Sequence, residues 1–203
     1  CAFPEQCADP LLAASEIVLS LQSIVSRRIP ATEPAVVSVC EFHAGTAYNI
    51  IPNEARLNAS VRSFGEDTRN KIEREARNIA GCVASAHGCS ARLDWLPGYP
   101  SVVNDAHLAR EAERVIISRF GEGQTQPIGV IMPGEDFSYM VEEGRPGFFV
   151  ELGTRNAALQ ADAPHHNPRY RMDEAALLYG VQYGYDFARS LLDGTRRFWE
   201  SNT

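Results

Sequence analysis

Two neighbouring stretches of alternating apolar and polar residues constrain the fold of this 203-residue chain most strongly. In "RLNASVRSF", Leu57, Ala59 and Val61 fall on one face of an extended chain, and polar side chains fall on the other face. "AVVSVCEF", upstream, has the same period of two. This period is typical of half-buried β-strands, so we predict two antiparallel strands joined by "HAGTAYNIIPNEA".

Helical patterns flank these two strands. Asp9 and Pro10 are typical of a helix start, because Asp caps free backbone N–H groups and Pro fits the first turn. Apolar steps of three and four then predict a helix over residues 10–27, with these residues buried: Leu11, Ala14, Val18, Leu21 and Val25. Asp67 is predicted to cap a second helix that ends near Gly88. Its predicted inward residues are Ile72, Ala76, Ile79, Ala80 and Val83.

A third alternating stretch, "SARLDWL", predicts another strand with Ala91, Leu93 and Trp95 on one side. The order helix, strand, strand, helix, strand matches a ferredoxin-like split β-α-β sandwich without its first strand. Two explanations stay open: an unusual three-stranded sheet, or a longer parent protein whose first strand lies upstream of Cys1. The loop-like "CAFPEQCADP" ahead of the first helix favours the second explanation.

The Pro- and Gly-rich stretch "LPGYPSVVND" predicts a domain boundary. After it, helical and apolar stretches alternate: a helix over residues 106–120, "PIGVIM", a short helix after "PGED", "FFVELGT", and a long C-terminal helix opened by Asp173. Such alternation predicts an α/β domain with a parallel or mixed sheet. Two short parallel strands do not complete such a sheet, because parallel strands need cover on both faces.

Composition argues against several classes of function. A net charge of -7 does not favour a nucleic-acid surface, which needs basic side chains to neutralise phosphates. No apolar run approaches the ~20 residues that cross a bilayer, and no signal-peptide pattern opens the sequence, so we expect a soluble protein without a membrane partner. Five cysteines without a C-x-x-C pair fit a reducing compartment, and we expect a cytoplasmic location.

Two short stretches contain candidate metal ligands or catalytic groups. His165 and His166 precede the helix that Asp173 opens. Histidine is the commonest metal ligand, yet such a pair also fits a surface turn, and the chain has no H-E-x-x-H motif. Glu135 and Asp136 in "GEDFS" fit an acid and a base, a metal site, or the first turn of a helix, where the dipole favours acids.

The predicted hairpin supplies further candidates. "HAGTAYNIIP" contains His43, Thr46 and Asn49 as donors, and it also fits an ordinary hairpin loop in which Asn49 bonds its own backbone. Arg62 falls on the polar face of its strand, either as a solvated charge or as a bidentate clamp for a carboxylate.

Six blocks, in order and over nearly the whole chain, resemble the second half of the metal-dependent amidohydrolase and aminoacylase family of peptidases. The nearest branch is that of hippurate hydrolase and indole-acetyl amino acid hydrolase. The blocks are "DPLLAASEIVLSLQSIVSR", "AVVSVCEFHAGTAYNIIPNEARLNASVRSF", "YPSVVND", "MPGEDFSYM", "PGFFVELGT" and "HNPRYRMDEAALLYG". The resemblance implies a ferredoxin-like lid or dimerisation domain, without its first strand, at residues 1–97. It also implies the last part of an α/β zinc-exopeptidase-like catalytic domain at residues 98–203.

The same resemblance implies hydrolysis of the amide bond of N-acyl or N-aroyl amino acids. Family members hold two zinc or manganese ions, which activate a water, and a glutamate acts as general base. Most of the metal ligands lie upstream, in a His-Ala-Cys-Gly-His-Asp run and a Glu-Glu pair. This chain is therefore expected to carry only part of the active site and no catalytic residue. The alternative is an inactive fragment that acts only as a dimerisation or lid module.

The resemblance also implies roles for individual residues. His-Asn-Pro places the C-terminal metal ligand on His166. Asn49 resembles a residue that contacts the substrate across a homodimer, and Arg62 resembles an arginine that holds the substrate carboxylate. His43 and Gly45 belong to the same loop as Asn49, so we expect them to contribute to substrate binding.

Overall fold

The protein is described here by a computed structural model, which covers residues 2–141 and 145–199, with side chains to residue 193. It divides into two compact units. The first comprises Cys1–Ser101 with Met132–Asp136, and the second comprises Val102–Ile131 with Phe137–Thr203. The division into a lid at residues 1–97 and a catalytic part at residues 98–203 stays a prediction.

The first unit contains an antiparallel hairpin. β1 (Ala35–Ala44) pairs with β2 (Ala55–Ser63), and a bulge shifts the register between Val39 and Glu41. Both predicted strands and their connection are therefore confirmed.

The first helix, α1 (Pro10–Ser23), begins as predicted. The Asp9 carboxylate accepts hydrogen bonds from the backbone N–H groups of Leu11 and Leu12, at 2.9 and 3.2 Å, and so caps the helix. A π-helical turn, Ile24–Arg28, continues the helix, so the predicted end near residue 27 is also confirmed.

The predicted buried face of α1 is partly wrong, because Leu11 and Val25 are exposed. The buried residues of α1 and its π-helical turn are Ala13, Ala14, Ile17, Leu21 and Ile24. Apolar side chains surround much of this helix. Two overlapping sets of apolar residues therefore both have the spacing of three and four that a buried helix face shows. Packing against the hairpin selects one of them.

The second helix, α2 (Glu66–Ala86), buries the predicted face. Ile72 is fully buried, and the rest of the predicted face packs in or against the same core. The predicted cap is wrong, because the N-cap is Gly65, with φ 79°, and Asp67 lies in the first turn. A carboxylate is favoured there by the helix dipole. The helix ends as predicted, just before Gly88, which has φ 68°.

The core of the first unit lies between the two helices and one face of the hairpin. Ile24 and Ile72 have no exposed surface at all. The full cluster is Ile17, Leu21, Ile24, Ile29, Val37, Ile72, Ala76 and Ile79.

The third predicted strand, residues 90–96, is wrong as a hydrogen-bonded strand. Within the described residues the sheet consists of β1 and β2. Leu93 and Trp95 nevertheless pack against the core, with the exposed Asp94 between them. The period of two therefore correctly indicated an extended, half-buried segment. A strand also needs a neighbour that supplies the hydrogen-bond ladder, and no described strand pairs with this segment.

In the described part of the second unit, the regular secondary structure is helical apart from one isolated bridge between Asn156 and Ala161, and the connections are irregular. It contains α3 (Ala106–Phe120), α4 (Ser138–Val141) and α5 (Ala175–Trp199). α3 has its predicted bounds and is capped by Asp105, whose carboxylate accepts from two backbone N–H groups at 2.9 Å. α3 packs against α5.

The two strands predicted in the second half are wrong. No ladder forms along "PIGVIM" or "FFVELGT" among the described residues. Val130 is 70% exposed and Leu152 is 45% exposed. Parallel strands need paired neighbours and cover on both faces, and the described part of this unit provides neither. The coarse class, a mixture of helices and strands, holds, whereas the predicted α/β sheet does not.

No helix within the described ranges combines the length and the apolar character needed to cross a bilayer. The described cysteines Cys7, Cys40, Cys82 and Cys89 are free thiols.

Candidate functional site

Three of the predicted substrate-binding residues lie at the loop end of the hairpin. His43 is near the end of β1, opposite Arg56, and its Nε2 lies 3.9 Å from Oε2 of Glu41. Gly45 begins the loop with φ 75°, a left-handed conformation that glycine adopts without steric cost. Asn49 is exposed within this loop. The structure therefore brings these three residues to one end of the hairpin.

Arg62 lies at the other end of the hairpin, opposite Val36. It is seven positions after Ala55, the first residue of β2. At ~3.3 Å per residue this separation is about 23 Å along the strand. A single chain therefore does not place Arg62 next to the loop end that leads to Asn49.

The guanidinium group of Arg62 instead lies beside Gly134, in the segment Met132–Asp136 of the same unit. A Cβ atom built on Gly134 would be 2.9 Å from Nη1 of Arg62 and 3.1 Å from Cδ2 of Tyr99. This contact is not indicated by the sequence alone. The "PGED" stretch indicates a turn, but nothing in the sequence relates that turn to β2.

His165 and His166 occupy different environments. The ring of His165 packs edge-on against Tyr170, with 4.9 Å between the ring centroids. His166 has φ 62°, a left-handed conformation that is uncommon for a residue with a side chain. The turn is stabilised by Asn167, whose Oδ1 accepts a hydrogen bond from the backbone N–H of Arg169 at 2.9 Å. Strained backbone of this kind is often retained at functional sites, which favours His166 over His165.

Asp173 closes the loop that carries His166. Its backbone N–H donates to the carbonyl of Thr154 at 3.0 Å. Its carboxylate accepts hydrogen bonds from Nδ2 of Asn156 at 2.7 Å and from the backbone N–H of Ala175 at 3.0 Å. These bonds, that from Asn156 first, hold the pKa of Asp173 below its ordinary value. The ionised carboxylate therefore joins both ends of the loop to the start of α5.

We expect Asp173→Asn to destabilise the protein near neutral pH and to have little effect in acid. Because the pKa of Asp173 in the folded state lies below the unfolded value of about 3.9, its stabilisation is present above that value. It is lost as the pH falls through the folded-state pKa. Urea midpoints of the parent and the variant, measured from roughly pH 7 down to pH 3, test this expectation.

Asp162→Asn, at an exposed acid of the same loop, is the matched control for this measurement. A difference between parent and Asp173→Asn that stays constant down to the lowest pH would contradict the assigned role of the Asp173 carboxylate.

The described residues do not form a complete metal centre. Nowhere in the part of the chain that the structure describes do three or more His, Cys, Asp or Glu side chains gather in a way that could hold an ion. Zinc sites use three or four protein ligands, so one histidine is insufficient. Glu135 and Asp136 are separated from the short α4 helix by Phe137, and their role in catalysis or metal binding stays a prediction. The assignment of His166 as a metal ligand also stays a prediction.

The sequence profile of peptidase family M20/M25/M40 matches residues 10–190, which is nearly the whole chain. The chain belongs to peptidase family M20/M25/M40. The resemblance drawn from the six sequence blocks is therefore confirmed at the level of the family.

Several M20 relatives have curated names. N-acetylcysteine deacetylase of Bacillus subtilis (strain 168) is 35% identical over 191 residues, which cover 94% of this chain and 48% of that protein. IAA-amino acid hydrolase ILR1-like 4 of Arabidopsis thaliana is 31% identical over 184 residues, which cover 89% of this chain and 42% of that protein. These names describe hydrolases. The chain spans about half the length of the curated relatives it matches.

About half of a solved M20 structure has the same fold as this chain. The YXEP protein of Bacillus subtilis, described as a dinuclear metal binding peptidase from the M20 family, superimposes with a TM-score of 0.73 at 32% identity. The superposition covers 93% of this chain and 47% of the YXEP chain. This similarity supports hydrolase chemistry with two metal ions for the family, without identifying the metal.

Proposed function

We propose that the natural protein containing this chain is a metal-dependent hydrolase of the amide bond of N-acyl or N-aroyl amino acids. The observation that carries this proposal is the M20/M25/M40 match over residues 10–190. The substrate class is supported by the name of one relative, because N-acetylcysteine is itself an N-acyl amino acid.

Within this proposal, Arg62 binds the substrate carboxylate. Arg62 is exposed, and its guanidinium group is permanently charged and planar, so it can donate two parallel hydrogen bonds to a carboxylate. An N-acyl amino acid presents such a carboxylate next to the amide bond that is cleaved.

A homodimer is the proposed arrangement that completes the substrate site. One chain places Arg62 at the opposite end of the hairpin from the loop with His43, Gly45 and Asn49. We propose that this loop contacts the substrate of a second copy, with the first unit as the lid and dimerisation domain. The exposed leucines Leu12 and Leu19 of α1, at 54% and 74% exposure, offer apolar surface that a second copy would cover.

His166 is the proposed metal ligand of this chain, and the other ligands of a two-ion zinc or manganese centre belong to parts of the protein outside it. The lack of a ligand cluster among the described residues and the half-length match to relatives support this proposal. The isolated chain is then expected to be inactive and to act only as a lid and dimerisation module. Chelator-sensitive turnover by the purified 203-residue chain would contradict this division of the site.

The proposed location is the cytoplasm. It is supported by the sequence, whose five cysteines include no C-x-x-C pair and fit a reducing compartment.

We expect Arg62→Ala to raise KM for benzoylglycine about tenfold to a hundredfold in the full-length protein. Hydrogen bonds to charged groups contribute ~1.5–3 kcal/mol, and each ~1.4 kcal/mol corresponds to a factor of ten. Benzoylglycinamide has no carboxylate, so its hydrolysis should be unchanged. Steady-state kinetics with both substrates measure this difference.

Arg74→Ala provides the control, because Arg74 is an exposed arginine of the same unit that lies on α2 and outside the proposed site. If the full-length protein hydrolyses neither compound nor any other N-acyl amino acid, the proposed function is wrong. If Arg62→Ala affects both compounds equally, the activity stands, but Arg62 does not bind the carboxylate.

A further inference from the structure

Gly134 occupies a position where any side chain would meet Arg62. The Cβ position is 2.9 Å from Nη1 of Arg62, and 3.1 and 3.5 Å from two ring carbons of Tyr99. Carbon and nitrogen atoms attract each other best at roughly 3.5–4.0 Å, so a methyl group here would displace one of its neighbours. The requirement for glycine is one of space, because Gly134 does not have the positive φ found at Gly45 and Gly129.

The guanidinium group of Arg62 is the neighbour that would move. Arg62 is a long, exposed side chain with several rotatable bonds, so its end can swing away at little energetic cost. Tyr99 has a rigid ring and belongs to a segment that is tied to β2, since Oγ of Ser101 donates to the carbonyl of Ser63 at 3.4 Å. A side chain at residue 134 therefore changes the direction of Arg62 more than it changes the fold.

We propose that Gly134 is a positioning residue for Arg62. The absence of a side chain lets the guanidinium group rest beside the backbone of the segment Met132–Asp136, next to Tyr99, and this contact sets the direction from which Arg62 meets a carboxylate. The inference rests on the proposed function of Arg62 in substrate binding.

The test compares Gly134→Ala with Gly98→Ala in the full-length protein. Gly98 is in the same unit, lacks a positive φ, and has no atom within 4 Å of its Cβ position, so an added methyl group displaces nothing. The first readout is the NMR signal of the Arg62 Nε–H group, which is identified by its loss in Arg62→Lys. We expect this signal to shift in Gly134→Ala and to stay in place in Gly98→Ala, with similar unfolding midpoints for both variants.

The second readout is the preference for a carboxylate, given by the ratio of kcat/KM for benzoylglycine to that for benzoylglycinamide. We expect Gly134→Ala to lower this ratio roughly tenfold through KM, the loss expected from one misdirected charge-assisted hydrogen bond. The rate with benzoylglycinamide and the ratio in Gly98→Ala should be unchanged.

Two results would overturn the positioning role of Gly134. One is an unmoved Arg62 signal in Gly134→Ala, and the other is an unchanged ratio in that variant when the parent protein prefers the carboxylate. A parent protein without such a preference would instead show that the proposed function of Arg62 is wrong. In that case the shift of the Arg62 NMR signal in Gly134→Ala would be the only test of whether a side chain at residue 134 redirects Arg62.

Discussion

His166→Ala is expected to lower both the metal content and the turnover of the full-length protein, the latter by more than about a hundredfold. Replacing a residue that only supports a metal ligand typically lowers metal affinity or activity by roughly 10–100-fold. Replacing the ligand itself should lower them further. The metal content is measured by elemental analysis after dialysis against a weak chelator, and the rate is measured with benzoylglycine.

The matched control is His165→Ala, one residue earlier in the same turn. His165 packs against Tyr170, whereas His166 has a left-handed backbone conformation. We therefore expect His165→Ala to retain its metal. Unchanged metal occupancy in His166→Ala would contradict the ligand assignment without affecting the membership of the M20 family.

Ile72→Ala is expected to lower the free energy of unfolding of the first unit by ~3 kcal/mol, within the range of about 2–5 kcal/mol found for such core truncations. Ile72 is fully buried, in a cluster to which both helices and β1 contribute. The substitution removes buried apolar surface and leaves a cavity that the surrounding helices fill only in part. Because Trp95 packs against this cluster, urea unfolding followed by tryptophan fluorescence reports on it.

Arg74→Ala on the exposed side of α2 controls for the general effect of substituting alanine in this helix. It should change the free energy of unfolding by less than about 0.5 kcal/mol. A similarly small effect of Ile72→Ala would mean that α2 does not pack on the hairpin as described. Since the same core supports β2, the Ile72 variant should also loosen the strand that carries Arg62.

The elements that could be predicted from the sequence depend on contacts between residues close together in the chain. Asp9 and Asp105 cap helices by binding N–H groups two and three residues away. Alternation over β1 and β2 depends on neighbouring side chains, and their pairing needs only a short connection. The Asp67 cap failed because Gly65, two residues earlier, already begins the helix with a backbone conformation that suits glycine.

The candidate site was predictable only as separate pieces. The six sequence blocks identified the family, and within them Arg62, Asn49 and His166 were assigned roles by resemblance. Whether these residues lie close together depends on their distances in the folded chain. The periodicity of the sequence does not specify those distances. The structure separates Arg62 from the loop end of the hairpin and places it beside Gly134 and Tyr99.

The sequence by itself determined the family, through the six blocks, and it determined the helices and the hairpin, because local hydrogen bonds and apolar periodicity specify those elements. Only the tertiary structure decided which stripe of α1 is buried, and that residues 90–96, "PIGVIM" and "FFVELGT" do not pair as strands. It also decided that a side chain at residue 134 would meet Arg62 and Tyr99. The physical reason is the same in each case: burial, ladder pairing and close approach depend on a partner that is distant along the chain, and its position is set only when the elements pack together.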